Sequence, residues 1–267
     1  MKKITAKALA QAAGGVLAHE GNEPVAEHIS LDSRKMAGND LFVPIIGERA
    51  DGHDYICMAI GNGATVVFTS RHKTEEEVQE AILTQCKGDK EKETAAKAAA
   101  WICVPDTRKA LQDFGAYCRR NNPIPLVGIT GSVGKTTTRE MVAAALSAGF
   151  LVYKTPGNSN SQVGVPITVA EIPENAEIGV IELGMSEPGE MTRIANVAQV
   201  NCAVMTNIGV AHIEQLGSQE NILKEKLHIQ DGMSEKGTLF LNGDDPLLRD
   251  VAVSYTHLRA HETKANL

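Results

Sequence analysis

Short apolar runs bounded by turn residues dominate the second half of the chain. The runs span residues 126–129, 178–183, 202–206 and 238–241. Their side chains are apolar at consecutive positions rather than at alternate ones, which is typical of strands buried on both faces. The segments between them have helical spacing, and Lys135 to Ser147 is expected to turn Met141, Val142, Ala145 and Leu146 inward. This alternation predicts an α/β fold with a parallel, doubly wound sheet.

The first half of the chain predicts a smaller α/β unit that extends to about residue 106. A short helix over residues 6–13 is ended by a pair of glycines. The other predicted elements are a helix over residues 53–61 and strands over residues 40–44, 64–69 and 101–104. Residues 75–100 are polar and alanine-rich, so the pattern favours a solvated helical or loose insertion there.

A helix followed by a proline-containing break marks the predicted boundary between two domains. Asp106 is a candidate N-cap, and Leu111, Phe114 and Cys118 fall on one face of the helix that follows. Prolines directly after this helix interrupt the backbone pattern. We therefore predict an N-terminal domain over residues 1–106, a linker helix over 107–123, a central domain over 124–252 and a tail without helical or strand periodicity over 253–267.

The composition narrows the class of protein and the expected compartment. The net charge of −7 disfavours a protein that binds the nucleic-acid backbone, so no nucleic-acid partner is expected. No apolar run is long enough to span a membrane and no signal segment is present, which predicts a soluble cytoplasmic protein without a membrane partner. The five cysteines are widely spaced and form no C-x-x-C pair, which favours reduced thiols over a disulfide framework or a zinc site.

A glycine-containing turn between a predicted strand and a predicted helix carries the chemistry of a phosphate site. Its residues are Thr130, Gly131, Ser132, Val133, Gly134, Lys135, Thr136 and Thr137. Glycines let successive backbone N–H groups point into one concavity, and the helix N-terminus adds partial positive charge. The Lys135 ammonium group suits the β- and γ-phosphates of ATP, and the Thr136 hydroxyl suits Mg²⁺. Ile129 stands where the general phosphate-loop pattern has its first glycine, so an ordinary strand-to-helix turn stays the alternative.

Polar residues follow several predicted strands, at the sheet edge where α/β folds bind ligands. Glu182 ends an otherwise apolar strand, where a carboxylate is costly unless it meets a cation. Asn207 ends the next strand, His212 follows shortly after it, and residues 156–161 form another polar segment at a strand end. The alternatives are a Glu182 side chain turned to solvent and a His212 side chain that lies in a loop or in the core. The surroundings of Lys226 predict that it lies on a solvated helix face.

Several ordered blocks of sequence resemble the Mur ligase family. In the second half of the chain they are residues 130–137, 157–160, 163–166, 180–185, 206–212, 223–226 and 241–245. In the first half, residues 32–34, 42–44 and 47–55 are similar to the UDP-sugar-binding domain of the same enzymes. The N-terminal blocks and the segment 158–166 favour the branch of the family that adds D-alanyl-D-alanine. Together these blocks are far more specific than the phosphate loop alone.

The resemblance implies an ATP-dependent ligase of peptidoglycan precursor synthesis that acts with Mg²⁺. In such an enzyme, ATP phosphorylates the terminal carboxylate of UDP-N-acetylmuramoyl-tripeptide. The amine of D-alanyl-D-alanine then attacks the acyl phosphate through a tetrahedral intermediate, while metal ions and lysine neutralise charge. The implied architecture is a small N-terminal α/β domain that binds the UDP-sugar, followed by a phosphate-loop ATPase domain, and we expect a monomer.

The resemblance also implies a role for each matching residue. Lys135 holds the phosphates, Thr136 and Glu182 hold one Mg²⁺, and His212 helps to bind a second. Lys226 matches a lysine that becomes a carbamate, so Lys135, His212 and Lys226 are the implied catalytic residues. The implied nucleotide-binding residues are Thr130, Gly131, Ser132, Val133, Gly134, Lys135, Thr136, Thr137, Asn158, Asn160 and Asn207. The implied UDP-substrate-binding residues are Ser33, Arg34, Gly47, Arg49, Asp51 and His53.

The chain departs from the family pattern at two places. His228 stands where a glutamate is expected, and no segment corresponds to the C-terminal, Rossmann-like domain that binds the incoming amine. We expect a truncated reading frame in which residues 253–267 form a foreign tail, with His257 and His261 in that tail rather than in a metal site. Such a chain is expected to bind ATP and the UDP-sugar without completing the ligation. Resequencing the source locus tests the truncation, which the same tail and stop codon there would contradict.

Two alternative functions stay open from the sequence. One is another Mur-type ligase or a folylpolyglutamate-type ligase with the same ATPase core. The other is a non-catalytic protein that binds a nucleotide or a UDP-sugar. Switch GTPases carry an N-K-x-D segment and ABC ATPases an L-S-G-G-Q segment, and neither occurs in this chain.

Overall fold

The computed structural model describes residues 1–254. Residues 255–267 of the predicted tail, with His257 and His261, lie outside the described residues. The chain divides into two compact units, Met1–Tyr117 and the part from Cys118 onward. The division falls inside the helix that the sequence predicts as a linker, and the domain boundaries given above stay predictions.

The first unit contains a five-stranded mixed sheet with helices packed against it. Its strands are β1 (Ile4–Thr5), β2 (Val16–His19), β3 (Val25–Ala26), β4 (His28–Ser30), β5 (Asp40–Phe42), β6 (Ala64–Thr69) and β7 (Ala100–Cys103). Its helices are α1 (Ala6–Ala12), a 3₁₀ turn (Gly52–Tyr55), α2 (Ile56–Gly61), α3 (Glu75–Cys86) and α4 (Lys90–Ala98). The sheet order is β2-β7-β6-β5-β4, in which β2 runs antiparallel to β7 and the other neighbours are parallel. Strands β1 and β3 form a separate antiparallel pair.

The polar segment after residue 75 is helical but is neither loose nor wholly solvated. Thr74 begins α3 with a reciprocal capping box that includes Glu77. Val78 and Ile82 of this helix are fully buried in the same core cluster as Trp101. The prediction of a solvated or loose insertion is therefore wrong for α3. Its few apolar residues recur at helical spacing and face the sheet, although charged residues dominate the composition.

The helix α5 (Thr107–Asn121) spans the division between the units. The backbone N–H of Lys109 donates to the Asp106 carboxylate at 2.8 Å, which is the cap that the sequence predicts. Leu111 and Phe114 are buried, while Cys118 is half-buried. The predicted cap and the predicted inward face of this helix are both present.

The second unit is built on a five-stranded sheet in which every neighbouring pair is parallel. Its strands are β8 (Leu126–Thr130), β9 (Val152–Lys154), β10 (Ile178–Glu182), β11 (Cys202–Met205) and β12 (Thr238–Leu241). Its other elements are α6 (Lys135–Leu146), α7 (Gly164–Ala170), α8 (Glu190–Ala198), α9 (Ile213–Leu216), α10 (Gln219–Leu227), a 3₁₀ turn (His228–Gly232) and α11 (Pro246–Ser254). The order β12-β11-β8-β10-β9 places β8 in the centre, and the strand sequence reverses beside it. The parallel-sheet prediction is confirmed, and the carboxyl end of β8 is the edge where ligands bind in such folds.

The helix α6 turns only part of its predicted face inward. Val142 and Leu146 are half-buried and pack against a core cluster of β8 and β10, as predicted. Met141 is 69% exposed and Ala145 is also exposed, whereas Ala143 and Arg139 are buried. The prediction for Met141 and Ala145 is wrong. Alanine and other apolar residues occur on several faces of this helix. The pattern of apolar positions therefore does not fix which face turns inward. A buried polar contact made by Arg139 lies on the inward face instead.

All five cysteines lie within the described residues. All five cysteines are free thiols, and Cys57 and Cys86 are buried. Among the described residues, no helix is both long enough and apolar enough to cross a bilayer.

Candidate active site

The phosphate loop begins where β8 ends, at the centre of the parallel sheet. Gly131 has a φ of +145° and Gly134 has a φ of +80°, both in the region that favours glycine. A Cβ atom on Gly131 would overlap the Thr206 hydroxyl, so this position requires glycine for space as well as for conformation. Gly134 is the N-cap of α6, which places Lys135 and Thr136 in the first turn of the helix. The strand, turn and helix that the sequence predicts are all present.

The segment after β11 holds the phosphate loop in place. The Asn207 side-chain oxygen accepts hydrogen bonds from the backbone N–H groups of Ser132 at 3.1 Å and Val133 at 3.0 Å. The Thr206 hydroxyl donates to the Val133 carbonyl at 2.6 Å, and the backbone N–H of Gly209 donates to the Ser132 hydroxyl at 2.8 Å. Asn207 therefore contacts the loop backbone, and its predicted contact with nucleotide stays a prediction.

Two lysine side chains converge on one carbonyl oxygen of the loop. Lys135 Nζ donates to the Gly131 carbonyl at 2.8 Å, and Lys226 Nζ donates to the same oxygen at 3.1 Å. Burial lowers the pKa of Lys135, although the nearby Glu182 charge opposes that shift. Burial first, and then the charge of Lys135, lower the pKa of Lys226 from its ordinary value of 10.5 to about 8. Positive charge is thus concentrated behind the loop, where an anionic phosphate group is favoured.

The structure overturns the prediction that Lys226 lies on a solvated helix face. Its side chain is only 2% exposed. Its neighbour Glu225 is also buried and accepts the backbone N–H groups of Gly189 and Met191, both at 2.9 Å, at the start of α8. The helix α10 therefore turns charged residues inward to meet backbone donors and acceptors. Composition alone cannot indicate such partners, because they come from distant parts of the chain.

Glu182 forms the centre of a buried hydrogen-bond cluster at the end of β10. Its carboxylate is 2% exposed, so the alternative that it turns to solvent is wrong. One carboxylate oxygen accepts from the Thr136 hydroxyl at 3.0 Å and from Arg139 Nη1 at 3.3 Å. The other accepts from Asn160 Nδ2 at 2.8 Å. Two predicted metal-site residues, Thr136 and Glu182, are therefore in direct contact, and Asn160 joins them.

Asn158, His212 and Thr130 are the other predicted residues of this region. Asn158 is exposed, and its carbonyl accepts the backbone N–H of Asn160 at 2.8 Å. His212 has a φ of +65° at the start of α9, and its ring is exposed. It does not take part in the hydrogen-bond cluster around Glu182. In the part of the chain that the structure describes, no three His, Cys, Asp or Glu side chains are arranged to hold a metal ion. Thr130 ends β8 with a buried hydroxyl that has no hydrogen-bond partner among those residues.

The first unit contains the residues predicted to bind the UDP-substrate, and they fall into two groups. Arg34 is exposed and donates to the Asp32 carboxylate at 2.8 and 2.9 Å, which lowers the pKa of Asp32 to about 2. The neighbouring Ser33 hydroxyl donates to the sulfur of Met58 at 3.5 Å. The second group is a tight turn over residues 46–51, in which Gly47 N–H donates to a carbonyl at 3.0 Å and Arg49 is exposed.

Asp51 and His53 hold this turn to the end of β6. His53 is fully buried, with Nδ1 at 2.6 Å from the Asp51 carboxylate and Nε2 accepting the backbone N–H of Ser70 at 3.0 Å. Arg71 pairs with Asp51 and donates to Asp54 at 2.9 Å. Ser70 and Arg71 are not among the predicted site residues, because nothing local to them in the sequence indicates a partner near residue 51. Direct contact of Asp51 and His53 with substrate stays a prediction.

The folds and sites described above define a family, and the comparisons with known proteins agree. The profile of the Mur ligase middle domain matches residues 129–264. The profile described as the Mur ligase family, catalytic domain, matches residues 26–118. Because the first of these covers half of the chain, the chain belongs to the Mur ligase family.

Several of the similar proteins are named as D-alanyl-D-alanine-adding ligases of this family. The UDP-N-acetylmuramoyl-tripeptide--D-alanyl-D-alanine ligase of Bacillus subtilis is 37% identical over 251 residues, which are 94% of this chain and 51% of that protein. A crystal structure of MurF from Acinetobacter baumannii superposes with a TM-score of 0.79 at 29% identity, over 95% of this chain and 52% of that one. A MurF ligase from Thermotoga maritima in complex with ADP superposes with a TM-score of 0.70 at 30% identity, over 86% and 49% of the two chains. This chain thus spans about half the length of the relatives that it matches.

Proposed function

We propose that this chain supplies the ATP-binding and UDP-sugar-binding units of a ligase that joins D-alanyl-D-alanine to UDP-N-acetylmuramoyl-tripeptide. The names of the relatives favour this reaction over that of other Mur-type or folylpolyglutamate-type ligases. One observation carries the proposal. The Thr136 hydroxyl contacts the buried Glu182 carboxylate, and two lysines beside this pair donate to the Gly131 carbonyl of the phosphate loop.

ATP and Mg²⁺ are the cofactors that this arrangement fits. The relative from Thermotoga maritima is described as a complex with ADP. A hydroxyl and a carboxylate are hard oxygen donors of the kind that Mg²⁺ prefers, and Thr136 and Glu182 are the residues that would hold the ion. When bound, the ion supplies positive charge against the phosphate oxygens. We keep His212 as a proposed ligand of a second ion, since its exposed ring is available to one.

The proposed reaction transfers the γ-phosphoryl group of ATP to the terminal carboxylate of the tripeptide, which gives an acyl phosphate and ADP. The amine of D-alanyl-D-alanine attacks the acyl carbon, loses a proton and displaces inorganic phosphate, so an amide bond forms. Lys135 is placed to neutralise charge on the transferring group, because its ammonium group lies at the phosphate loop. The backbone N–H groups of the glycine-containing loop hold the phosphates that stay on the nucleotide.

Lys226 is suited to the modification that the family resemblance implies. Only the neutral amine of a lysine reacts with carbon dioxide to form a carbamate. A pKa of about 8 leaves a substantial fraction of this amine neutral near physiological pH. The carbamate would place an anion beside Lys135 in exchange for a repelling ammonium group, which relieves the charge repulsion that lowers the pKa.

We assign binding of the UDP-sugar to the first unit. Arg34 and Arg49 are exposed cations on two neighbouring blocks of the resemblance, and a diphosphate group is the natural partner of a guanidinium. Asp51 and His53 keep the turn of Arg49 in one conformation. Because the reaction consumes ATP, we propose the cytoplasm as the compartment, and we propose a monomer with domains over residues 1–106 and 124–252.

Two measurements test this proposal. Isothermal titration of the 267-residue chain with ADP and Mg²⁺, and separately with UDP-N-acetylmuramoyl-tripeptide, should show one site for each ligand. Phosphate release on addition of D-alanyl-D-alanine should then be assayed in this chain and in a chain extended to the length of its relatives. Binding of a folate in place of the UDP-sugar would contradict the assignment. Binding of both ligands without phosphate release by the extended chain would favour a non-catalytic protein.

A further inference from the structure

Arg139 is a buried cation in α6 that is not among the site residues predicted from the sequence. It is only 5% exposed. Its Nη1 donates to the carbonyl oxygen of Gly157 at 2.7 Å and to the Glu182 carboxylate at 3.3 Å. Its Nη2 donates to the neighbouring Glu140 carboxylate at 2.7 Å. One side chain therefore joins the phosphate-loop helix, the end of β10 and the loop that follows β9.

The two carboxylates that Arg139 contacts differ in how their negative charge is stabilised. The Glu140 side chain is 43% exposed and is also paired with Lys154, so water and a second cation stabilise its charge. The Glu182 side chain is 2% exposed, and the salt bridge that it makes within residues 1–254 is with Arg139. A buried carboxylate without a cation is strongly unfavourable. Arg139 thus supplies a hydrogen-bonded countercharge to Glu182, in addition to the charge of the nearby Lys135.

The contact with Gly157 adds a geometric function to this electrostatic one. Gly157 begins the loop that carries Asn160, and Asn160 donates to the second oxygen of Glu182 at 2.8 Å. Arg139 therefore fixes both the carboxylate and the loop that approaches it from the other side. A planar guanidinium can donate in several directions at once, whereas a lysine in its place offers one compact ammonium group.

We infer that Arg139 is a positioning residue that orients the Glu182 carboxylate and fastens the Gly157 loop beside it before Mg²⁺ arrives. The inference rests on the proposed function, since it assumes that Glu182 holds the ion of a nucleotide complex. Arg139 acts through Glu182 and the loop rather than on the reacting atoms. The metal site is therefore preformed by the protein rather than created by the ion.

The variant R139M tests this inference because it keeps an unbranched side chain and removes the charge and all donors. We expect the thermal midpoint in EDTA to fall by about 5–10 °C, since a buried carboxylate loses its cation. We expect affinity for ADP with Mg²⁺ to fall roughly tenfold, as for other residues that orient a metal ligand. Affinity for ADP in EDTA should change by less than about threefold, because that complex does not depend on the carboxylate.

Matched variants separate positioning from general damage. R193M makes the same chemical change at an exposed arginine of α8 and should leave both readouts unchanged. The double variant R139M/E182Q removes the unpaired charge and should recover most of the stability in EDTA, to nearly that of E182Q alone. If R139M does not fold, R139K provides the same comparison of ADP affinities, with an expected loss of about threefold that is confined to the Mg²⁺ complex.

The outcomes distinguish this inference from the proposed function. If the wild-type chain binds no ADP with Mg²⁺, the proposed function fails and the inference fails with it. If the wild-type chain binds ADP and R139M keeps the same ratio of affinities with and without Mg²⁺, the inference alone is wrong. A double variant in EDTA that is no more stable than R139M would also overturn it, since neutralising Glu182 would then bring no relief.

Discussion

At the scale of single residues, the buried Lys226 shows how the position of a side chain in the fold sets its pKa and its reactivity. Its ammonium group shares the Gly131 carbonyl with Lys135 and is almost fully shielded from water. Burial and the second lysine both disfavour its charged form. The same residue on a solvated helix would keep an ordinary pKa and would not be prepared for reaction with carbon dioxide.

This perturbed lysine predicts a pH dependence of folding stability. With a pKa of about 8 in the folded chain against 10.5 when unfolded, Lys226 binds more protons in the unfolded state between these values. The free energy of unfolding should therefore gain about 3 kcal/mol from this residue as pH rises through that window. Urea unfolding at pH 7 and pH 10 should show the gain in the wild type and lose it in K226M. K224M, an exposed change on the same helix, should keep it, and an equal gain in K226M would contradict the assignment.

At the scale of elements, the phosphate loop depends on the segment that follows β11. Asn207 satisfies two backbone N–H groups of the loop through one side-chain oxygen. Gly131 allows the Thr206 hydroxyl to approach the backbone closely enough to reach the Val133 carbonyl. The loop is thus held in shape by side chains from the neighbouring strand as well as by its own glycines.

We predict that N207A loosens this loop without unfolding the unit. The substitution leaves the Val133 N–H without its partner, whereas the Ser132 N–H keeps the backbone carbonyl of residue 207 at 3.0 Å. The free energy of unfolding should therefore fall by about 1–3 kcal/mol. Hydrogen exchange should quicken most at the amide of Val133, whereas the amides of β10 should keep their rates. N196A, which removes an exposed hydrogen bond within α8, is the matched control. Unchanged exchange at the loop amides of N207A would show that Asn207 does not hold the loop.

At the scale of the whole molecule, the two compact units carry separate groups of candidate residues. Lys135 lies in the second unit, and Arg71 holds the turn of Asp51 in the first. The proposed ATP and UDP-sugar sites should therefore respond to different substitutions.

We predict that K135M weakens binding of ADP with Mg²⁺ at least about tenfold, a loss of roughly 1.4 kcal/mol, because a cation at the phosphates is removed. UDP-N-acetylmuramoyl-tripeptide should bind K135M within about twofold of the wild type. R71M should give the reverse pattern, since it releases Asp51 and Asp54 and leaves the phosphate loop intact. Titration of both ligands into both variants makes the comparison. A variant that weakened both ligands equally would refute the separate assignment.

Much of this architecture follows from local pattern. The apolar runs of β8, β10, β11 and β12 predict buried parallel strands. Each run is too short for a helix, and its apolar residues are consecutive rather than alternating, unlike those of a sheet with one face in water. For the edge strand β9 the sequence predicts only a strand end before residues 156–161 and no bounds, since its three residues mix polar and apolar side chains without a clear period. The rotation of α6 is predicted only in part: Val142 and Leu146 pack against the core and Met141 does not, because an alanine-rich helix has no single apolar face.

The sequence by itself determined the parallel sheet, the phosphate loop and the family, because strand burial and a glycine turn before Lys135 leave local signatures. Only the tertiary structure decided which charges are buried together. Arg139, Glu182 and Lys226 are distant in sequence, and each is stable inside the protein only through partners that other strands and loops supply. The free energy of a buried charge depends on all the groups that surround it. The periodicity of apolar positions along the chain does not indicate which groups those are.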